Sequence, residues 1–175
     1  IHSDHYQIIS AIVETRCNVS RLKLSIIETA RIFRTPIIIF CAKKNISEIL
    51  EIIGEIHDVD CRVVEIREDI LCNGEYNQLL KSLSFWDQLP SAEKLLIFQA
   101  DSLPCEKSDY QLKDFISFDY IGGEWNNQRP CGLLVEGGIG GFSLRDISMS
   151  KHIIRLSEGF FWPFGEDGFF AFFTD

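Results

Sequence analysis

No stretch of this 175-residue chain approaches the ~18 consecutive apolar residues of a membrane-spanning helix, so no transmembrane segment is expected. Its six cysteines (Cys17, Cys41, Cys61, Cys72, Cys105, Cys131) include no CxxC pair. Cys17, Cys41 and Cys61 fall at or near expected strand ends, where free buried thiols are common. The expectation is therefore reduced, structural cysteines and a cytoplasmic location, with disulfides or a zinc site as the alternatives. There is no GxSxG elbow, no Ser-His-Asp order and no GxxxxGK[ST] phosphate loop. Basic residues are short as well, 17 against 26 acidic, for a net charge of -9. Such a surface repels a phosphate backbone, which argues against nucleic acid as partner. It would also repel a nucleotide diphosphate, unless a metal ion or local basic residues offset the charge. The chain starts at Ile1 without a methionine, which leaves a longer native N-terminus open, and no signal peptide is visible.

What is present is a chain of 46% hydrophobic residues, long enough for one domain with a real core. SAIVETR (10–16) reads as a strand, and NVSRLKLSIIETARIFR as an amphipathic helix with Val19, Leu22, Ile26, Ala30 and Phe33 on one face. TPIIIFC (35–41) is a second strand, NISEILEIIGEIH a helix capped by Asn45 or Ser47, and CRVVEI (61–66) a third strand. YNQLLKSLSFWDQL sets Tyr76, Leu79, Leu80, Leu83 and Trp86 along one helical face. KLLIFQA is a fourth strand, and DFISFDYIGGEW holds a short fifth. This alternation predicts an α/β fold, a mainly parallel Rossmann-like sheet with helices on both faces. Ligands of such sheets sit beyond the carboxyl ends of the strands.

Three stretches carry candidate chemistry. In QADS the fourth strand delivers Asp101 at its exit, where a carboxylate suits a hard cation such as Mg2+ or Mn2+ bridging diphosphate oxygens. The competing reading is a turn capped with Ser102. EGGIGGFSLRD (136–146) has four glycines in five residues, a loop whose backbone approaches a ligand closely or adopts positive φ, against a purely structural turn. A strand at Phe142–Leu144 and a helix capped by Asp146 are expected to follow it. In WPFGEDGFF (162–170), Glu166 and Asp167 lie among aromatics. Desolvation there makes a carboxylate a stronger base, and the same two residues are suited to cap a final helix. His2, His5, His57 and His152 read as terminal, surface or structural.

In this order VETR, YNQLLKSLSFWDQLP, LLIFQADS, FDYIGGEW, GGIGGFSLR and GEDGFF resemble a family of GT-A-fold glycosyltransferases of viruses, bacteria and fungi, many known only as a domain of unknown function. The likeness spans about residues 10 to 173. It implies a nucleotide-sugar-dependent transferase acting on a glycan or other hydroxyl acceptor, UDP-sugars being favoured as donors. QADS stands where such enzymes carry Asp-x-Asp. The resemblance therefore makes Asp101 the metal and diphosphate residue, with Gln99 in place of the first acid and Ala100 between them. Gly140 and Gly141 would line the donor sugar and acceptor. Asp167 matches the base of the inverting x-Glu-Asp motif, with Glu166 its rival. Thr15 and Arg16, with Tyr76 and Asn77, would hold the nucleotide, Arg16 pairing with a phosphate. The metal-binding histidine usual late in GT-A chains has no counterpart before Asp175, so either the domain is cut from a longer protein or that ligand is absent.

Two other functions compete. A sugar nucleotidyltransferase needs a glycine-rich basic loop after the first strand, and ETRCNVSRLK contains no glycine. A catalytically inactive carbohydrate- or nucleotide-sugar-binding domain of GT-A descent is favoured by Gln99.

Overall fold

The first apolar run forms strand β1 (Tyr6–Glu14), which begins earlier than the sequence predicts because Tyr6 and Ile8 still pair with β4. The computed structural model describes residues 5–67, 72–125 and 137–174. Cys131, His2, Glu136 and Asp175 lie outside the described residues. Helix α1 (Leu22–Phe33) and strand β2 (Ile37–Ala42) follow, then α2 (Ile46–Ile53) and β3 (Cys61–Ile66). The chain then crosses back through α3 (Asn73–Leu80) and α4 (Leu83–Trp86) to β4 (Ala92–Phe98), which lies on the other side of β1. A 3-10 turn (Leu112–Phe115) leads to β5 (Tyr120–Glu124), β6 (Gly138–Asp146), α5 (Ile147–Leu156) and α6 (Glu166–Thr174).

The six-stranded sheet runs β3-β2-β1-β4-β6-β5. β1 to β4 are parallel, whereas β6 is antiparallel to both β4 and β5. Strand order reverses between β1 and β4, so their carboxyl ends splay apart and leave a crevice there. Side chains alternate between two cores. Ile38 and Phe40 of β2, with Ile9 and Ile97, pack under Phe85, Trp86 and Phe170 on one face. Ile37, Ile39 and Cys41 pack against Leu22 and Ile26 of α1 and Ile49 of α2 on the other. The architecture is thus an α/β fold with a mainly parallel sheet covered on both faces.

Several local expectations change. The helix read from YNQLLKSLSFWDQL is two helices, because Ser82 adopts an extended φ of -105° and ψ of 136° and its hydroxyl donates to Leu79 O at 2.7 Å. Serine competes with the helical backbone in just this way. The glycine stretch is not a loop: Gly138 to Gly141 belong to β6, and Gly159 is the one positive-φ glycine among the described residues. Gly138 lies against Gly122 of β5, where a Cβ would fall 2.4 Å from the Gly122 carbonyl carbon. Asn45 does precede α2, but its side chain makes no cap. It accepts from Ala42 N at 2.9 Å and donates to Glu14 O at 2.8 Å, tying the ends of β1 and β2. Asp146 caps α5 as predicted, accepting from Met149 N at 2.7 Å.

Candidate functional site

At the reversal of strand order β1 ends at Glu14 and is followed by Thr15 and Arg16, and β4 ends at Phe98 and is followed by Gln99, Ala100 and Asp101. Glu14, Thr15, Arg16, Gln99, Ala100 and Asp101, with Asn73 and Tyr76 of α3, line a cleft of about 430 Å3. That is within the range of small-molecule sites. Glu14, which sequence reasoning missed, is buried, yet its carboxylate accepts from Arg16 N at 2.9 Å, Nε at 2.9 Å and Nη2 at 2.7 Å. Glu14, and to a smaller degree Asp101, hold the Arg16 guanidinium above its ordinary pKa. The fork that the resemblance assigns to a phosphate is thus already engaged by a carboxylate through Nε and Nη2, with the side chain itself largely exposed. A buried acid at a strand end was the signal available, in the polar residue closing SAIVE.

The β4 exit is rigid. Ser102 Oγ accepts from Gln99 N at 2.8 Å, and Ser25 Oγ donates to Gln99 O at 2.9 Å. Ser102, not Asp101, therefore holds this turn. The Asp101 side chain is left exposed, with no hydrogen bond among the described residues. Ala100 and Thr15 are buried beneath. Tyr76 lies deeper: its hydroxyl is sealed from water with no hydrogen-bond partner among the described residues, and burial, with help from Glu166, pushes its phenol pKa up. The Gln99 amide pulls the other way without a well-formed hydrogen bond.

The second cluster gathers at the start of α6. Glu166 is buried and joined in two-pronged fashion to Arg145, which is fully buried on β6; Nη2 reaches Oε1 at 3.0 Å and Nη1 bonds Oε2. Arg145 also donates to Ser143 Oγ at 2.9 Å and lies over the rings of Tyr120 and Phe170 at 5.2 and 5.0 Å. Gly140 makes room for this pair, since a Cβ there would fall 2.2 Å from Glu166 Oε1. Gly141 makes room for the Gln99 side chain, 2.7 Å from such a Cβ. The space at both glycines is therefore filled by protein. Asp167 is half-buried: Oδ2 accepts from Trp125 Nε1 at 3.2 Å and Oδ1 from Gly168 N at 2.8 Å. Asn77 faces this cluster rather than the cleft, its Oδ1 accepting from Glu166 N at 3.3 Å. Tyr76, between the cleft and Glu166, joins the two groups of residues.

Among the described residues, no three His, Cys, Asp or Glu side chains gather as a metal site. One exposed carboxylate, Asp101, in the cleft that Gln99 also lines, suits a cation that takes most of its ligands from a bound diphosphate and water. Mg2+ or Mn2+ fits that donor set; a cation held by protein alone does not. No described helix is long and apolar enough to cross a membrane. A larger hollow of about 930 Å3 includes Ile8 and Thr35 beside Arg34 and Pro104, and none of the sequence-predicted site residues line it.

Solved structures share this fold at low identity. The 4-diphosphocytidyl-2C-methyl-D-erythritol synthase of Anaerococcus prevotii superposes with a TM-score of 0.63 at 13% identity, over 97% of this chain and 85% of that one. Core-mannan synthase A of Aspergillus fumigatus, in an Mn/GDP form, gives 0.59 at 10% identity, over 99% and 70%. Mouse xyloside xylosyltransferase 1, in an apo form, gives 0.56 at 9% identity, over 96% and 81%. The fold is therefore that of GT-A-like nucleotidyl- and glycosyltransferases. No curated protein matches the chain. Residues 60–174, from β3 through α6, match the profile of the family described as "Protein of unknown function (DUF5672)", and the chain belongs to that family.

Proposed function

We propose that this protein is a glycosyltransferase that moves a sugar from a nucleotide-diphosphate sugar, UDP-linked in preference, to a hydroxyl of a glycan or other acceptor with inversion. The observation that carries the reading is the pairing of a cleft at the strand-order reversal, open to Asp101 and Arg16, with a separate half-buried carboxylate, Asp167, at the head of α6. Thr15 and Tyr76 border the nucleoside, and Arg16, turned by Glu14, meets the diphosphate. Mg2+ or Mn2+ carried in with the donor would be held by Asp101 and would supply positive charge to the departing diphosphate.

Asp167 takes the proton of the acceptor hydroxyl as that oxygen forms its bond to the anomeric carbon. The bond from that carbon to the diphosphate oxygen breaks, and the nucleoside diphosphate leaves with the bonding pair. One base suffices, because the protein supplies no nucleophile. Glu166 does not compete for this role, since it is buried and its charge is committed to the ion pair with Arg145, whereas Asp167 is half-buried and has no charged partner among the described residues.

Release of nucleoside diphosphate from a panel of nucleotide sugars, with and without Mn2+, tests the proposal; no turnover or binding with any donor defeats it. Gln99, neutral where the resembling enzymes carry an acid, favours a second reading, a domain that binds nucleotide sugars without turning them over. Donor binding without transfer to any acceptor selects it.

A further inference from the structure

Another hollow, of about 570 Å3, opens between the end of α3 and the end of α5. Phe160 and Phe161 line it above the buried rings of Trp162 and Phe169. Phe161 is 81% and Phe160 57% exposed, large apolar area kept in water without benefit to folding. We infer that this groove binds the outer sugars of an oligosaccharide acceptor, an inference that rests on the transferase reading above.

Ring faces accept the apolar C–H faces of sugars, and the groove also carries the few polar groups that orient such a ligand. Gln78, Lys81, Arg155 and Glu158 stand at it, an amide and charges of both signs that suit a neutral polyhydroxyl ligand. A lipid surface fits less well: the hollow is concave, and a chain of net charge -9 is repelled by anionic headgroups.

The groove is built into the catalytic helix. Trp162 Nε1 donates to Gly165 O at 2.9 Å, two residues before Asp167. Lys81 Nζ donates to Trp162 O at 3.5 Å and lies 5.6 Å from the Phe169 ring centre. Asp167 and Phe169 both belong to α6, and two residues are about 200° of helical turn. They therefore sit on opposite flanks of a helix about 10 Å wide. Phe169 is buried and marks only the groove's floor; a ligand on the exposed Phe160 and Phe161 that also reaches Asp167 must pass over the head of α6, which asks for several linked sugars rather than one.

The test is calorimetric titration of the whole chain with maltohexaose, cellohexaose, chitohexaose and mannohexaose, and with the matching monosaccharides, alongside UDP. At least one hexasaccharide should bind, its monosaccharide should bind at least tenfold more weakly, and Phe161→Ala should weaken the hexasaccharide at least tenfold while leaving UDP affinity unchanged. UDP binding without any hexasaccharide binding at millimolar concentration overturns the inference and leaves the transferase reading standing. Hexasaccharide binding indifferent to Phe161→Ala and Phe160→Ala also overturns it. So does retention on phosphatidylserine vesicles, or self-association, that Phe161→Ala abolishes in a protein that ignores the sugars. Glycan binding lost in Phe161→Ala, in a protein that binds no nucleotide, upholds the groove and defeats the transferase reading.

Discussion

Arg145 and Glu166 form a buried, two-pronged ion pair between β6 and the first residue of α6. It fastens the helix that carries Asp167 to the sheet. Removing one partner leaves the other charge buried without compensation, which costs about 3–5 kcal/mol. Glu166→Ala should therefore lower stability by that amount in urea unfolding, while the double change Arg145→Met, Glu166→Leu recovers much of it. Equal losses in the single and double variants would show that the pair is not the source.

Asp167→Asn is expected to lower transfer at least ~10²-fold, the lower end for loss of a general base, with donor binding retained. Product configuration checks the same assignment by nuclear magnetic resonance. A product that keeps the donor's anomeric configuration, or a variant of near-normal rate, removes Asp167 from the chemistry.

At the cleft, Asp101→Asn should keep the fold but lose most of the Mn2+-dependent gain in UDP affinity. Arg16→Ala should weaken UDP more than uridine, by about 1.5 kcal/mol, the low end for a charge-assisted hydrogen bond because Arg16 is largely exposed. Calorimetry with and without EDTA reads both. Equal weakening of uridine and UDP would take Arg16 off the phosphate.

Gly140→Ala should destabilise by about 1–3 kcal/mol, as overpacking does, because its Cβ meets Glu166 and Arg145. Gly123→Ala, with nothing within 4 Å of the added Cβ, should be close to neutral. Thermal unfolding of the two variants side by side decides this.

Burial, and next the charge of Asp60, push the Cys61 thiol up from its ordinary 9.0 to about 11. Alkylation of Cys61 by iodoacetamide should therefore keep rising with pH until about 11. Because the folded thiol holds its proton more tightly than the unfolded one, this contribution to stability is complete below the ordinary thiol range and is lost as pH rises through 11. A rate plateau below pH 9, followed by mass spectrometry, would contradict it.

Much of the fold was legible in local pattern. CRVVEI reads as a strand and is β3 from Cys61 to Ile66, and the strand-helix alternation announces the parallel half of the sheet. Asp101 at a strand exit and Asp146 at a helix start were also visible, because each follows from residue type and position within a few neighbours. The glycines show the limit. Their number in GGIGG predicts a tight approach of something, and only the fold says that it is Glu166 at Gly140 and Gln99 at Gly141.

By itself, then, the sequence determined periodicity, element type and the order in which acids and aromatics are met along the chain. The tertiary structure alone decided which of two adjacent carboxylates is committed: Glu166 to Arg145, twenty-one residues away along the chain, and Asp167 toward Trp125. It also decided that Glu14 orients Arg16 and that the Tyr76 hydroxyl is buried without a partner. Pairing partners distant in sequence are chosen by packing and burial, and the helical and strand periods of a sequence encode only which face a side chain takes, not what meets it there.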